Sequence, residues 1–381
     1  MGGLAALPSS AGEVVARSAL TVKLLIYEPT GAVVAAPPPR CPRCGAAPAT
    51  GTTGTPGCAM PRWPSRRSSA GRYDEAMAFW DRLERAVRQR NDPPATAYTI
   101  HAGEVPAEVG LDHLQGFGGA RPVRVGNAAS DQLQLDVFGH VLEAAAHCYD
   151  RMELDRAHPA DVLASFADQA ASRWSAPDES IWEVRSGPER YVYSTFRCWS
   201  ALDRAVHLAD EGALAGDRRS WAKAREQAAE AVLRDGWNDE LGSFSRAIGG
   251  DQLDATALAV VAGGLLERDD PRLVSTIRAV EDHLADGALV RRYATDDGLD
   301  GQDGAFLLCS SWLADAHLAA GAPDRAAEIL EEVEGLANDL GLLSEEVDLS
   351  DRSLLGNFPQ ALSHLGLINS RVKLDEAAAN G

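Results

Sequence analysis

Two glutamate sites stand where a carboxyl group could move a proton. In Ile181-Trp182-Glu183-Val184-Arg185 a lone acid lies among bulky apolar neighbours. Burial disfavours the charged carboxylate and raises its pKa, which makes Glu183 a candidate general acid. The adjacent Trp182 offers a flat apolar face. The plainer alternative pairs Glu183 with Arg185 and puts Trp182 in a core. Glu345 and Glu346 follow an apolar run and precede a helical pattern. Adjacent carboxylates repel, so at least one is expected to be exposed or paired. A solvated turn that caps a helix accounts for them equally well. Residues 113–136 are Gly-rich and carry Arg121 and Arg124, but hold no GxxxxGK[ST] phosphate loop. One protonated acid and one ionised base on separate loops, over one pocket, are the equipment of glycoside hydrolysis. That chemistry needs no metal or organic cofactor.

These residues need elements to position them. From residue 72 onward an apolar residue recurs every three or four positions. The pattern predicts helices over 73–90, 130–151, 159–173, 190–211, 217–235, 252–268, 270–285, 303–321, 323–339 and 358–371. Asp or Ser often opens them and Gly often closes them, as capping requires. A tetratricopeptide-type solenoid would repeat near 34 residues, and no such register is found. Long irregular loops at 91–129 and 174–189 favour a closed ring of helical hairpins with a pocket at one end. The fold class is therefore all-α, an (α/α) toroid. Trp312, His147 and His207 fall on helical faces and read as packing.

Charge and composition narrow the function. The 381 residues carry a net charge of −20, which repels phosphate-rich partners, so neither nucleic acid nor an anionic membrane is an expected partner. No run approaches the eighteen apolar residues of a membrane helix, and the N-terminus reads as no secretory signal. Six scattered cysteines suit a reducing compartment, and the expected location is cytoplasmic. The first 71 residues differ. They hold ten of the twenty prolines and two acids against seven bases, and no Asp or Glu lies between Glu28 and Asp74. Residues 37–70 show no helical or alternating pattern and read as disordered. Cys41, Cys44 and Cys58 lie there without the fourth ligand that structural zinc needs.

Four strings carry a resemblance: GARPVRVGNAASDQLQLDVFG, IWEVRSGPERYVYSTFRCWSALDRAV, LVRRYATDDGLDGQDGAFLLCSSWLADA and LLSEEVDLSDRSLLGNFPQALSHLGLIN. In this order they resemble glycoside hydrolase family 15, the glucoamylase and bacterial trehalase type, over residues 15–36 and 71–372. The resemblance implies an (α/α)6 barrel and inverting hydrolysis of a terminal α-linked glucose in a small carbohydrate. It implies Glu183 as general acid and Glu345 as general base, and suggests sugar contacts from Arg121, Trp182 and Arg292, with Arg291 as alternate. Inversion implies carboxyl groups roughly 6.5–9.5 Å apart. The alternatives are a helical scaffold protein and a carbohydrate-binding pseudoenzyme.

The sequence departs from the family at its start. Residues 1–36 resemble a remnant of the segment joining an N-terminal β-sandwich to the barrel, and residues 71–376 the barrel itself. By this resemblance the sandwich and the barrel's first helix, with an Arg-Asp pair that holds the sugar, are expected to be missing from the chain. A permitted codon choice for residues 49–63, read one base out of register, spells Asn-Trp-Asp-Tyr-Arg-Tyr-Ser-Trp-Met-Arg-Asp-Ala-Ala-Leu, the family's string. Residues 38–70 are therefore expected to be out-of-frame translation. A lost helix removes several buried side chains at roughly 1.5–3 kcal/mol each, against a typical net stability of about 5–15 kcal/mol. Stability and turnover are both expected to suffer.

Overall fold

A computed structural model describes residues 11–37, 52–53, 71–89, 95–116, 121–152, 157, 159–293 and 304–380. Among these, eleven α-helices form. They are α1 Ala11–Leu24, α2 Gly71–Gln89, α3 Asp136–Met152, α4 Ala160–Arg173, α5 Val192–Asp210, α6 Arg218–Glu230, α7 Thr256–Ala262, α8 Pro271–Leu284, α9 Leu307–Ala319, α10 Pro323–Gly335 and α11 Ala361–Asn380.

Burial separates two classes of helix. In α10, Ala326, Ile329, Leu330 and Val333 form one buried stripe, and α4 and α8 follow the same spacing. In α5 and α9 buried residues run all round the helix. Such helices need neighbours on every side, so α3, α5, α7, α9 and α11 pack in succession around a ring, and α4, α6, α8 and α10 lie against it. α1 packs on α11 through Val15, Val22, Leu25, Ala361, Leu365 and Ile368. Arg151 of α3 donates to Glu376 of α11 at 2.8 Å and joins the ends of the ring. The architecture is the expected (α/α) toroid.

Local chemistry sets where the helices begin. Asp270 accepts Arg272 N at 2.9 Å with Pro271 in the first helical position of α8. Asp254 likewise accepts Thr256 N at 2.7 Å and opens α7 four residues later than the pattern predicts. Gly264, at φ +82°, lies just beyond its end and shortens it from the other side. The helix expected from 303 starts at Leu307, because Ala305–Phe306 pairs as a strand with Glu346–Val347, which also pairs with Leu354–Leu355. Pairing across forty residues is invisible to a local period. α1 lies within the stretch expected to be a joining segment, and it is helical and seated on the barrel. Cys41, Cys44, Cys58 and most of the 37–70 stretch lie outside the described residues. Among the described residues no cluster of three metal-ligating side chains exists, and no helix is long and apolar enough to cross a membrane.

Candidate active site

Glu183 rides on a loop closed by Asp178 and Glu189, whose backbones exchange two hydrogen bonds of 2.9 Å. Within the loop Ser180 and Glu183 both take left-handed conformations, at φ +63° and +55°. Such backbone is unfavourable for non-glycine residues and persists where the surroundings over-determine it. Here the segment 132–135, just before α3, supplies that support. Leu135 N donates to Asp178 Oδ2 and Leu133 N to Glu179 Oε2, each at 2.9 Å. Gln132 Nε2 donates to the Val184 carbonyl at 3.0 Å. The turn is thereby pinned on both sides of the acid.

The Glu183 residue is half-buried while its carboxyl is enclosed. That enclosure pushes its pKa above the ordinary glutamate range. The Asn127 side chain, Arg185 and Arg292 pull it back, and the charge of Glu345 pushes it further up. Asn127 is buried, and its Oδ1 accepts Ala129 N at 2.8 Å.

Glu345 precedes the short strand Glu346–Val347 and belongs to a different cradle. Asn357 donates to its Oε2 from both the backbone N, at 3.0 Å, and Nδ2, at 2.9 Å. Gln360 Nε2 donates to Oε1 at 3.1 Å. Gly356 has φ +73°, and a Cβ there would come within 2.8 Å of Glu345 Oε2, so only glycine lets the chain pass this close. Behind the segment, His364 Nε2 accepts Leu343 N at 3.1 Å, and its Nδ1–H faces Ser18 Oγ at 2.9 Å. Burial lowers the His364 pKa to about 4, so the ring is neutral in this role.

Aromatic side chains form the wall beside Glu183. Trp182 donates from Nε1 to Asp254 Oδ2 at 3.0 Å. Its ring meets Tyr293 and Phe306 edge-on and Trp312 at a tilt, with centroids 5.9–6.4 Å apart. Arg292 lies over Trp182 at 5.9 Å and Tyr293 at 5.3 Å, and its Nη2 stands 3.8 Å from Glu346 Oε1. Trp182, Glu183, Arg292 and Glu345 are thus brought into one neighbourhood from three distant stretches of chain. Arg121 is exposed on the hairpin of Val109–Gly110 and Arg124–Val125, and donates to the Asp112 carbonyl at 2.7 Å. Arg291 uses its backbone N on the Leu284 carbonyl. His207 pairs with Asp150 at 3.1 Å, away from this neighbourhood, whereas Trp312 packs against Trp182 and Tyr193. Asn127, Asp254, Asn357 and Gln360 were not foreseen. Only the GNFPQ string, which runs from the Gly356 passage to Gln360, offered a signal for the last two.

A family model described as glycosyl hydrolases family 15 matches residues 66–324 and 322–371. The chain belongs to this family. A trehalase of Thermoplasma volcanium is 34% identical over 366 residues, covering 95% of this chain and 58% of the relative. A trehalase of Mycobacterium tuberculosis is 35% identical over 378 residues, covering 96% and 55%. The family 15 chain thus spans a little over half the length of these curated relatives. Among solved structures, a wild-type glycosidase superposes with a TM-score of 0.73 at 20% identity, over 95% of this chain and 96% of that one. A glucoamylase from Saccharomycopsis fibuligera gives 0.62 at 10% identity, over 100% and 97%. These two likenesses show the fold.

Proposed function

We propose that this chain hydrolyses a terminal α-linked glucose with inversion, using Glu183 as general acid and Glu345 as general base. The observation that carries this reading is geometric: Arg292 lies over Trp182, the neighbour of Glu183, and its Nη2 stands 3.8 Å from Glu346 Oε1, the neighbour of Glu345, so the two acid-bearing loops meet at one guanidinium. In the proposed step Glu183 gives its proton to the glycosidic oxygen as that bond breaks. Glu345 takes a proton from water attacking the anomeric carbon on the opposite face. The attacked glucose is freed as the β-anomer, the leaving sugar keeps its own configuration, and the proton count is restored when Glu345 passes its proton to solvent and Glu183 regains one. Asn357 and Gln360 orient the base. Trp182 gives the sugar an apolar face and Arg292 offers hydroxyl contacts, whereas the contact expected of Arg121 has only the family resemblance behind it. Trehalose is the leading substrate, because relatives bearing that activity in their names match at 34–35% identity.

The test is glucose release from trehalose and from maltose by the full chain, with the first-formed anomer read by NMR. From trehalose, α- and β-glucose are expected at first in equal amounts, the β-anomer from the attacked sugar and the α-anomer from the leaving one. Initial α-glucose alone would overturn inversion, and absence of release by the folded chain would overturn hydrolysis. A second reading, sugar binding without hydrolysis, is favoured by one observation: the sequence contains no string with the family's sugar-holding Arg-Asp pair. Calorimetric binding of trehalose without turnover would select it.

A further inference from the structure

Glu108 belongs to neither loop of the carboxylate pair, yet several contacts around the acid converge on it. Arg185 grips its carboxylate with two prongs, Nη1 to Oε1 at 3.2 Å and Nη2 to Oε2 at 2.9 Å. Arg124 Nε approaches Oε1 at 3.4 Å, and Ala128 N reaches Oε2 at 3.5 Å. The Glu108 side chain is 14% exposed and that of Arg185 is 50%, so the carboxylate is the anchored partner. Two-pronged guanidinium–carboxylate pairs fix geometry as well as charge. Arg185 lies two residues beyond Glu183 on the same turn. Ala128 follows Asn127, whose side chain hydrogen-bonds to Glu183. Glu108 therefore touches the chain on both sides of the acid.

We propose that Glu108 is a positioning residue for Glu183: it fixes the Arg185 and Asn127 flanks of the acid and offsets the guanidinium charges beside it. This rests on the reading of Glu183 as general acid. The groups acting on the Glu183 carboxyl are Arg185, Arg292, Glu345 and Asn127, while Arg185, Arg124 and Ala128 N face Glu108. A guanidinium lowers the pKa of a nearby carboxyl, and an adjacent carboxylate weakens that pull. Removing the negative charge of Glu108 leaves Arg185 and Arg124 uncompensated. Glu183 then gives up its proton at lower pH.

The experiment titrates Glu183 directly in the full chain labelled with 13C-carboxyl glutamate, the E183Q difference identifying its resonance. E108Q is expected to lower the midpoint by roughly half a pH unit. R185Q is expected to raise it, and E108D, which keeps the charge, to stay close to the parent. In parallel, the alkaline limb of kcat/KM for trehalose is expected to shift with the carboxyl in each variant. A role confined to folding would change stability and leave both readouts in place. An unmoved resonance in E108Q overturns the proposal. Should E108Q not fold, R185Q decides, and a midpoint that fails to rise overturns it. Absence of turnover alongside the expected 13C shifts would remove the hydrolase reading and leave the electrostatic role of Glu108 standing.

Discussion

Glu345 and Glu346 are adjacent, yet their carboxyl groups are held by different partners. Glu345 faces Asn357 and Gln360, whereas Glu346, 2% exposed, faces Arg292 at 3.8 Å. Alternation along extended backbone sends neighbouring side chains to opposite faces, which resolves the repulsion expected of the pair. E345Q keeps the shape of the residue and removes the proposed base, so kcat is expected to fall by about 10²–10⁴-fold. E346Q leaves the proposed base in place and removes a buried charge opposite Arg292. Its main effects are expected in KM and in the urea midpoint. Equal losses of kcat in the two variants would show that the base has been assigned to the wrong glutamate.

The enclosed Glu183 carboxyl must keep its proton to act as an acid, and burial, the main cause, raises its pKa. Activity then falls as pH rises through that raised value, which forms the alkaline limb. E183Q is expected to lose about 10²–10⁴-fold on trehalose and to lose that limb. With α-glucosyl fluoride, whose leaving group needs little protonation, the deficit is expected to shrink substantially. A loss of the same size on both substrates would argue that Glu183 does something other than protonate the leaving group.

Much of this arrangement is legible in the sequence where the physics is local. The stripe Ala326, Ile329, Leu330 and Val333 places α10 without any structure, and IWEVR marks Glu183 because an acid among apolar residues is chemically odd. What escapes is set by distant partners. The Ala305–Phe306 strand exists because Glu346–Val347 lies beside it, so a helical period runs straight through it. Glu108 looks like any loop glutamate until the fold brings Arg185 to it. The charge-poor stretch around 38–70 is a different case, since its oddity lies in composition. Sequencing the gene across codons 36–72 is expected to reveal the hidden family string in a neighbouring frame. Codons incompatible with that reading would end the out-of-frame account.

Trp182 depends on Asp254 for its orientation. Asp254 is fully buried and accepts from the Trp182 indole, from Thr256 N and from the Thr256 hydroxyl. D254A leaves the buried indole N–H and the first turn of α7 without an acceptor, at a cost of about 1–3 kcal/mol for each unsatisfied group. The urea midpoint is expected to fall. KM for trehalose is expected to rise more than kcat falls, since the proposed role of Trp182 is to meet the sugar rather than the proton. Asn at the same position keeps an acceptor oxygen, so D254N is expected to recover much of the KM. A D254A variant with unchanged KM would detach Trp182 from substrate binding.

Asp178 gives the fold a pH dependence of its own. Burial, opposed by the Leu135 amide and Ser194 and reinforced by the charge of Asp136, pushes its pKa up to about 7. The folded chain thus binds this proton more tightly than the unfolded chain, in which an aspartate titrates near 4. A group raised in this way favours folding most at low pH. Its contribution shrinks as pH climbs from about 4 to about 7 and does not recover above that, with a slope of at most about 1.4 kcal/mol per pH unit. D178N is neutral throughout and keeps an oxygen for Leu135 N, so it is expected to flatten that slope. Urea unfolding at pH 5 and pH 8 measures it: the parent is expected to lose more stability between the two than D178N does. Parallel losses in both proteins would mean that Asp178 is ionised across the whole range, and that the turn carrying Glu183 is built on a charged carboxylate.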